Sequence, residues 1–136
     1  MAADPPPGFE FVTRAPFVNH VGPVLQASLN PPGVMTLGVQ VEQVHCNTMG
    51  FMHGGMIATV VDSAMARALV YTLNRRSVTL KMTMEYLEPI QRGDWMTAEG
   101  RLLSHDGEVG HTECLVKVGD RLVARGSGVF RLLRKV

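Results

Sequence analysis

A chain of 136 residues, 46% hydrophobic and 18% charged, is long enough for one ordinary core and too short for two. Its formal charge of +1 gives no global field for polyanions, so nucleic acid and acidic membrane surfaces are excluded as targets of the whole surface and any anionic ligand must be held locally. Cys46 and Cys114 make at most one bridge and no metal-type pair, which suits a reducing, cytoplasmic setting.

Met1 to Pro7 lack a basic region followed by an apolar core, and no stretch approaches the ~20 apolar residues that span a bilayer, so neither secretion nor membrane insertion is expected. Residues 1–23 read as a leader and a short covering segment: Pro5-Pro6-Pro7-Gly8 blocks regular structure, and Phe9, Phe11, Phe17 and Val18 then lie against a core edge. Residues 24–136 read as one domain. Two β-like runs between Val24 and Val44 flank the turn signal Asn30-Pro31-Pro32-Gly33, with Leu37, Val39 and Val41 on one face.

Between His53 and Asn74 the period changes. Ile57, Val60, Val61, Ala64, Ala68 and Tyr71 recur at steps of three and four, which predicts one long helix. Its small residues, Ala58, Ser63, Ala64, Ala66 and Ala68, permit close packing of other backbone. Alternation returns from Ser77 to Tyr86, with Leu80, Met82, Met84 and Tyr86 on one face and Thr79, Lys81, Thr83 and Glu85 on the other. Three further strands are predicted at Trp95 to Leu103, His111 to Val118 and Leu122 to Leu132, parted by Asp106-Gly107 and Gly119-Asp120 turns. Strands, one long helix and a run of antiparallel strands define an α+β domain with a sheet wrapped around its helix. A second copy is the expected cover for the remaining helix flank and sheet edge.

The chemistry concentrates at the start of the helix. Gly54 and Gly55 carry no side chains that block a ligand, and the first N–H groups of a helix lack intrahelical partners, so they can donate to a developing oxyanion; Asn47 adds a side-chain donor. Asp62, among Ala58, Val60, Val61, Ala64 and Met65, is expected inside the most apolar segment, where desolvation disfavours charge. His53 with Ser63 or Cys46 lacks the elbow of a nucleophilic serine, and His45 and His53 lack the spacing of a zinc helix.

Asn47, His53-Gly54-Gly55, Asp62, the run from Thr79 to Tyr86-Leu87-Glu88-Pro89, the Gly93-Asp94 turn and Leu122-Val123-Ala124-Arg125-Gly126 together resemble the phenylacetate-degradation (PaaI-like) branch of hotdog-fold acyl-CoA thioesterases, over about Leu25 to Phe130. The resemblance implies a hotdog fold and hydrolysis of acyl-CoA by a homo-oligomer, a dimer or a dimer of dimers. It also implies Asp62 as general base or nucleophile, Gly54 N–H and Asn47 polarising the thioester carbonyl, His53 supporting the loop and Thr79 positioning water. No metal or cofactor is called for, because coenzyme A is part of the substrate. Lys81, Arg92, Arg101 and Arg125 are candidates for its phosphates, whereas Arg75 and Arg76 suit a helix C-terminus and are left out of the site. Met49, Phe51, Met52, Met56, Met82 and Met84 are candidates for an adaptable acyl pocket.

Two other readings compete. A non-catalytic acyl-CoA-binding domain would keep the groove without needing Asp62. An acyl-CoA hydratase of this fold resembles the chain in architecture but places a His five residues after its Asp, where Arg67 stands here.

Overall fold

Period-2 apolar runs around one proline-free helical stretch call for a sheet that covers a helix, and the computed structural model, which describes residues 4–135, has that form. Strands β1 (Phe9–Phe11), β2 (Leu25–Ala27), β3 (Val34–Gln40), β4 (Arg75–Tyr86), β5 (Trp95–His105), β6 (Val109–Val118) and β7 (Arg121–Lys135) build one sheet in the order β1-β2-β3-β5-β6-β7-β4. Every pairing is antiparallel. Helix α1 (Pro16–Val21) is short; α2 (Gly54–Leu73) is the long helix, and it packs on β3 to β7. This is the expected α+β hotdog architecture.

Both ends of α2 are built by sequence. His53 caps its start, and Asn74, in the left-handed region at φ 55°, closes its end with a backbone N–H to the Val70 carbonyl. Ile57, Val60, Val61, Ala64 and Ala68 form the buried stripe, while Tyr71 from the same series is exposed. The small residues matter most at β5. A Cβ on Gly100 would lie 2.5 Å from the carbonyl carbon and oxygen of Ala64, so helix backbone and strand backbone meet there without side chains between them.

The structure corrects the expectation that no stretch is long and apolar enough to cross a bilayer. By length and composition α2 meets that test, with 20 residues and an apolar window of mean hydropathy 1.3; in this fold its apolar stripe faces the sheet. It also corrects the faces of β4. A register shift between Thr79 and Lys81 inserts Leu80 as an extra residue opposite β7. Past such a bulge the alternation changes phase. Thr79 therefore shares the helix-facing side with the half-buried Met82 and Met84, and Leu80 is 59% exposed.

In the N-terminal region Val18 packs against the core but Phe17 is 63% exposed, and β1 extends the sheet beside β2. Phe9 meets the Trp95 ring edge-on at 5.2 Å, over the space that Gly38 leaves open. Both cysteines are free, and burial pushes the Cys114 thiol up to about 12, which leaves it unreactive near neutrality.

The Gly100→Ala variant is expected to lose about 2 kcal/mol or more, since its methyl group meets main-chain atoms that have no rotamer to escape into. Thermal denaturation should show a fall of about 5 °C or more; an unchanged midpoint would refute the close-approach account.

Candidate active site

The segment before α2 is a tight loop held from several sides. Cys46 and Met52 form an isolated bridge, Asn47 N–H donates to the Phe51 carbonyl (2.8 Å), and Gly50 adopts φ 85° at the tip. Met52 N–H donates to the Ile90 carbonyl (2.7 Å), which ties the loop to the segment after β4. Below it lies His45, 2% exposed. Its Nδ1 accepts from Glu42 N–H (3.0 Å), so the proton resides on Nε2, which donates to the Val21 carbonyl (3.0 Å). Its own carbonyl accepts from His53 N–H (2.8 Å).

Asn47 divides its side chain between two tasks. Oδ1 accepts from Met49 N–H (2.9 Å) and Phe51 N–H (3.2 Å), and only an oxygen can receive two N–H donors. The NH2 group has no partner among the described residues and remains available to donate.

The helix N-terminus is divided in the same way. His53 Nδ1 accepts from Gly55 N–H at 2.8 Å, and Tyr86 O–H donates to the Gly54 carbonyl at 2.8 Å. The peptide unit joining Gly54 and Gly55 is thus bonded at both ends. Gly54 N–H, one peptide earlier, has no partner among the described residues, so it is the free donor that a helix start supplies. His53 thus caps the helix start, and no hydrogen bond joins it to Cys46 or Ser63 among the described residues.

Asp62 departs from expectation. It is half-buried on the flank of α2 rather than enclosed in the apolar core, because Val61 and Ala64 take the buried stripe and Asp62 falls beside it. Thr79 Oγ1 donates to Asp62 Oδ1 at 2.7 Å, a contact that the β4 bulge makes possible. One carboxylate oxygen is thereby fixed and the other left to the groove at its side.

The groove, about 780 Å³, runs from Asp62 along α2 past Ser63 and Arg67 toward Tyr71. Arg14, Arg76 and Ser77 line it as well, and none of these was assigned to the site from sequence. Tyr86 was placed on the correct face of β4, but its bond to Gly54 was not foreseen. Of the proposed acyl-pocket residues, Met52 and Met56 are buried core, Met82 and Met84 pack against that core, and Met49 is 73% exposed at the loop. Among the cations suggested for phosphates, Arg125 is committed to Glu85 (2.9 Å) and Arg101 lies near Glu113 (3.7 Å); Arg75, left out of the site, donates to the carbonyls of Leu133 and Gly107. Lys81 and Arg92 are exposed.

A family model described as the thioesterase superfamily matches residues 49–125, more than half of the chain. Over 98 residues the chain is 29% identical to human acyl-coenzyme A thioesterase 13, covering 70% of each. The solved structure of the TT0310 protein from Thermus thermophilus superposes with a TM-score of 0.80 at 26% identity, covering 89% of this chain and 100% of that one. The PaaI protein of the E. coli phenylacetic acid degradation operon superposes with a TM-score of 0.82 at 19% identity over 90% of this chain and 88% of that one, a likeness of fold.

The capping role of His53 is testable without an assay. His53→Ala should lower stability by about 1 kcal/mol and His53→Asp, which keeps a capping acceptor, by less. Chemical denaturation curves that coincide for the two variants would remove the cap from the account.

Proposed function

The chain belongs to the thioesterase superfamily, and on that premise we propose that it hydrolyses acyl-coenzyme A thioesters to the free acid and coenzyme A. The observation that carries this reading is the polar division along α2: an unpartnered N–H at Gly54, and a carboxylate at Asp62 oriented by Thr79. Gly54 N–H and the Asn47 amide donate to the thioester oxygen as it gains charge, a contribution of roughly 3–4 kcal/mol to the barrier for a well-aimed donor. Asp62 either takes a proton from water as that water attacks the carbonyl carbon, or attacks it directly to give a mixed anhydride that water then cleaves to the free acid and Asp62; in both routes the C–S bond breaks and coenzyme A leaves as a thiolate that takes up a proton originating from the water. Thr79 holds the carboxylate and the water. The reaction so written draws on side chains, backbone and water alone.

Donor and carboxylate of one chain cannot serve one carbonyl. Eight residues of helix put Gly54 and Asp62 about 12 Å apart along the axis, and reacting groups must approach to roughly 3–3.5 Å. The site is therefore shared between two copies. Two features of the fold favour the arrangement. Strand β4 is a free edge of 12 residues carrying the exposed Val78 and Leu80, the kind of edge that pairs with its own copy. It also runs antiparallel to α2, with Thr79 bonded to Asp62 and Tyr86 to Gly54. Two such strands joined antiparallel across a two-fold axis near their middle bring the Thr79 end of each against the Tyr86 end of the other, and the Asp62 of each helix level with the free donor of its neighbour. A dimer, or a dimer of dimers, follows.

Asp62→Asn is expected to fold, bind substrate and lose at least ~100-fold in kcat, with Thr79→Val losing about tenfold and Thr79→Ser little. Near-normal turnover by Asp62→Asn, measured by release of free thiol, would remove it from the mechanism. Sharing of the site is tested by refolding Asp62→Asn and Asn47→Ala together. Random reassortment gives half mixed dimers, each with one intact site, so about a quarter of wild-type activity should return. Activity equal to the mean of the two parents, with subunit exchange verified, would place the whole site in one chain.

A further inference from the structure

The groove beside Asp62 carries a charge pattern that hydrolysis of a plain acyl chain leaves unused. Its floor is apolar, with Val18, Met35, Ala66 and Val70, yet three guanidinium groups line it, Arg14, Arg67 and Arg76, against the single carboxylate of Asp62. On the strands and their loops four cations meet carboxylates: Arg101 and Lys117 with Glu99, Arg121 with Glu88, Arg125 with Glu85. The three groove arginines have no carboxylate within 4.0 Å among the described residues.

Arg67 is the informative one. It is half-buried on α2, five residues beyond Asp62 and hence about 7–8 Å further along the axis. Its recorded bond is to the neutral Gln26 Oε1 at 3.3 Å, and Gln26 in turn donates to Glu10. Burial lowers its affinity for its proton without a counter-ion to offset the loss, as expected of a cation short of an anion. One further observation points the same way. Ser77 Oγ, on the groove wall, is buried with no hydrogen-bond partner. Arg14 is held at φ 60°, in the left-handed region, in a segment braced by Asn19 bonds to Ala15 N–H and the Val12 carbonyl.

We propose that this groove receives an anionic oxygen group of the substrate, a carboxylate at the far end of the acyl chain, held by Arg67 with Arg14 and Arg76 while the methylenes lie on Val18, Met35, Ala66 and Val70. The inference rests on Asp62 being the reacting carboxylate, which locates the thioester at one end of the groove. The preferred substrates are then the coenzyme A thioesters of dicarboxylic acids. A phosphate of coenzyme A offers the same oxygen chemistry from the other side of the thioester, and the test separates the two sources.

The experiment compares adipyl and hexanoyl groups, each carried on coenzyme A and on N-acetylcysteamine, which has no phosphate. Wild-type enzyme should favour adipyl on both carriers by about tenfold or more in kcat/KM, the size of a charge-assisted hydrogen bond. Arg67→Gln should lower the adipyl-to-hexanoyl ratio about 10- to 100-fold, chiefly through KM for adipyl, and Arg67→Lys should restore part of it; Arg76→Gln should lower it less. An adipyl-to-hexanoyl ratio at or below one in wild type, or one that Arg67→Gln leaves unmoved, overturns the proposal. A loss by Arg67→Gln that is equal for both acyl groups and confined to coenzyme A esters overturns the acyl assignment and gives the groove to a phosphate. Failure of the hydrolytic reading itself shows separately, as turnover surviving in Asp62→Asn whatever the ratio.

Discussion

The contact on which the rest of the structure depends is the approach of α2 to the sheet at Ala64 and Gly100. With backbone against backbone the helix has no layer of side chains on which to slide or roll. On the neighbouring strands glycines admit helix side chains instead, since a Cβ on Gly110, Gly126 or Gly128 would meet the side chains of Leu69, Val61 or Met65 at 2.9–3.0 Å. Close-packed interiors resist such changes of volume. Asp62 lies two residues from this seat and Gly54 ten, so the depth and rotation of both are inherited from it rather than set by their own contacts.

Charge is distributed as deliberately as volume. Within a formal charge of +1, Arg101 and Arg125 meet glutamates across the sheet, whereas Arg14, Arg67 and Arg76 line the groove with no carboxylate within 4.0 Å among the described residues. Exposed pairs of the first kind add little stability, because water screens them. The groove, with three arginines against the one carboxylate of Asp62, is a local concentration of positive charge. Such a field acts at short range on a ligand already at the mouth and is weak for polyanions at a distance.

Much of this was legible in the sequence because it is written locally. The change of period between His53 and Asn74, the alanines and the paired turn signals each act on residues within a few positions, and a sheet wrapped around one helix follows from them. What was hidden is non-local. Leu80 looks like any strand residue, yet as a bulge it turns Thr79 to the helix. Asp62 sits amid apolar neighbours in sequence, but helical rotation carries it beside the stripe that they form. Arg14, Arg67 and Arg76 come from three segments whose meeting no spacing announces, and the reason Gly54 rather than Gly55 is left as the donor, that the His53 ring takes the Gly55 N–H, is a contact that only the structure shows.

The two ends of the Asn47 amide belong to different histories. Its oxygen is an architectural atom, since two loop N–H groups close upon it; its nitrogen has no partner among the described residues and, in the proposed reaction, is the donor. An aspartate in its place would keep the oxygen and the loop, remove the donor, and set a negative charge against a carbonyl oxygen that must itself become negative. On the proposed reading, the exchange of one amide group would therefore separate the shape of the loop from the reactivity beside it.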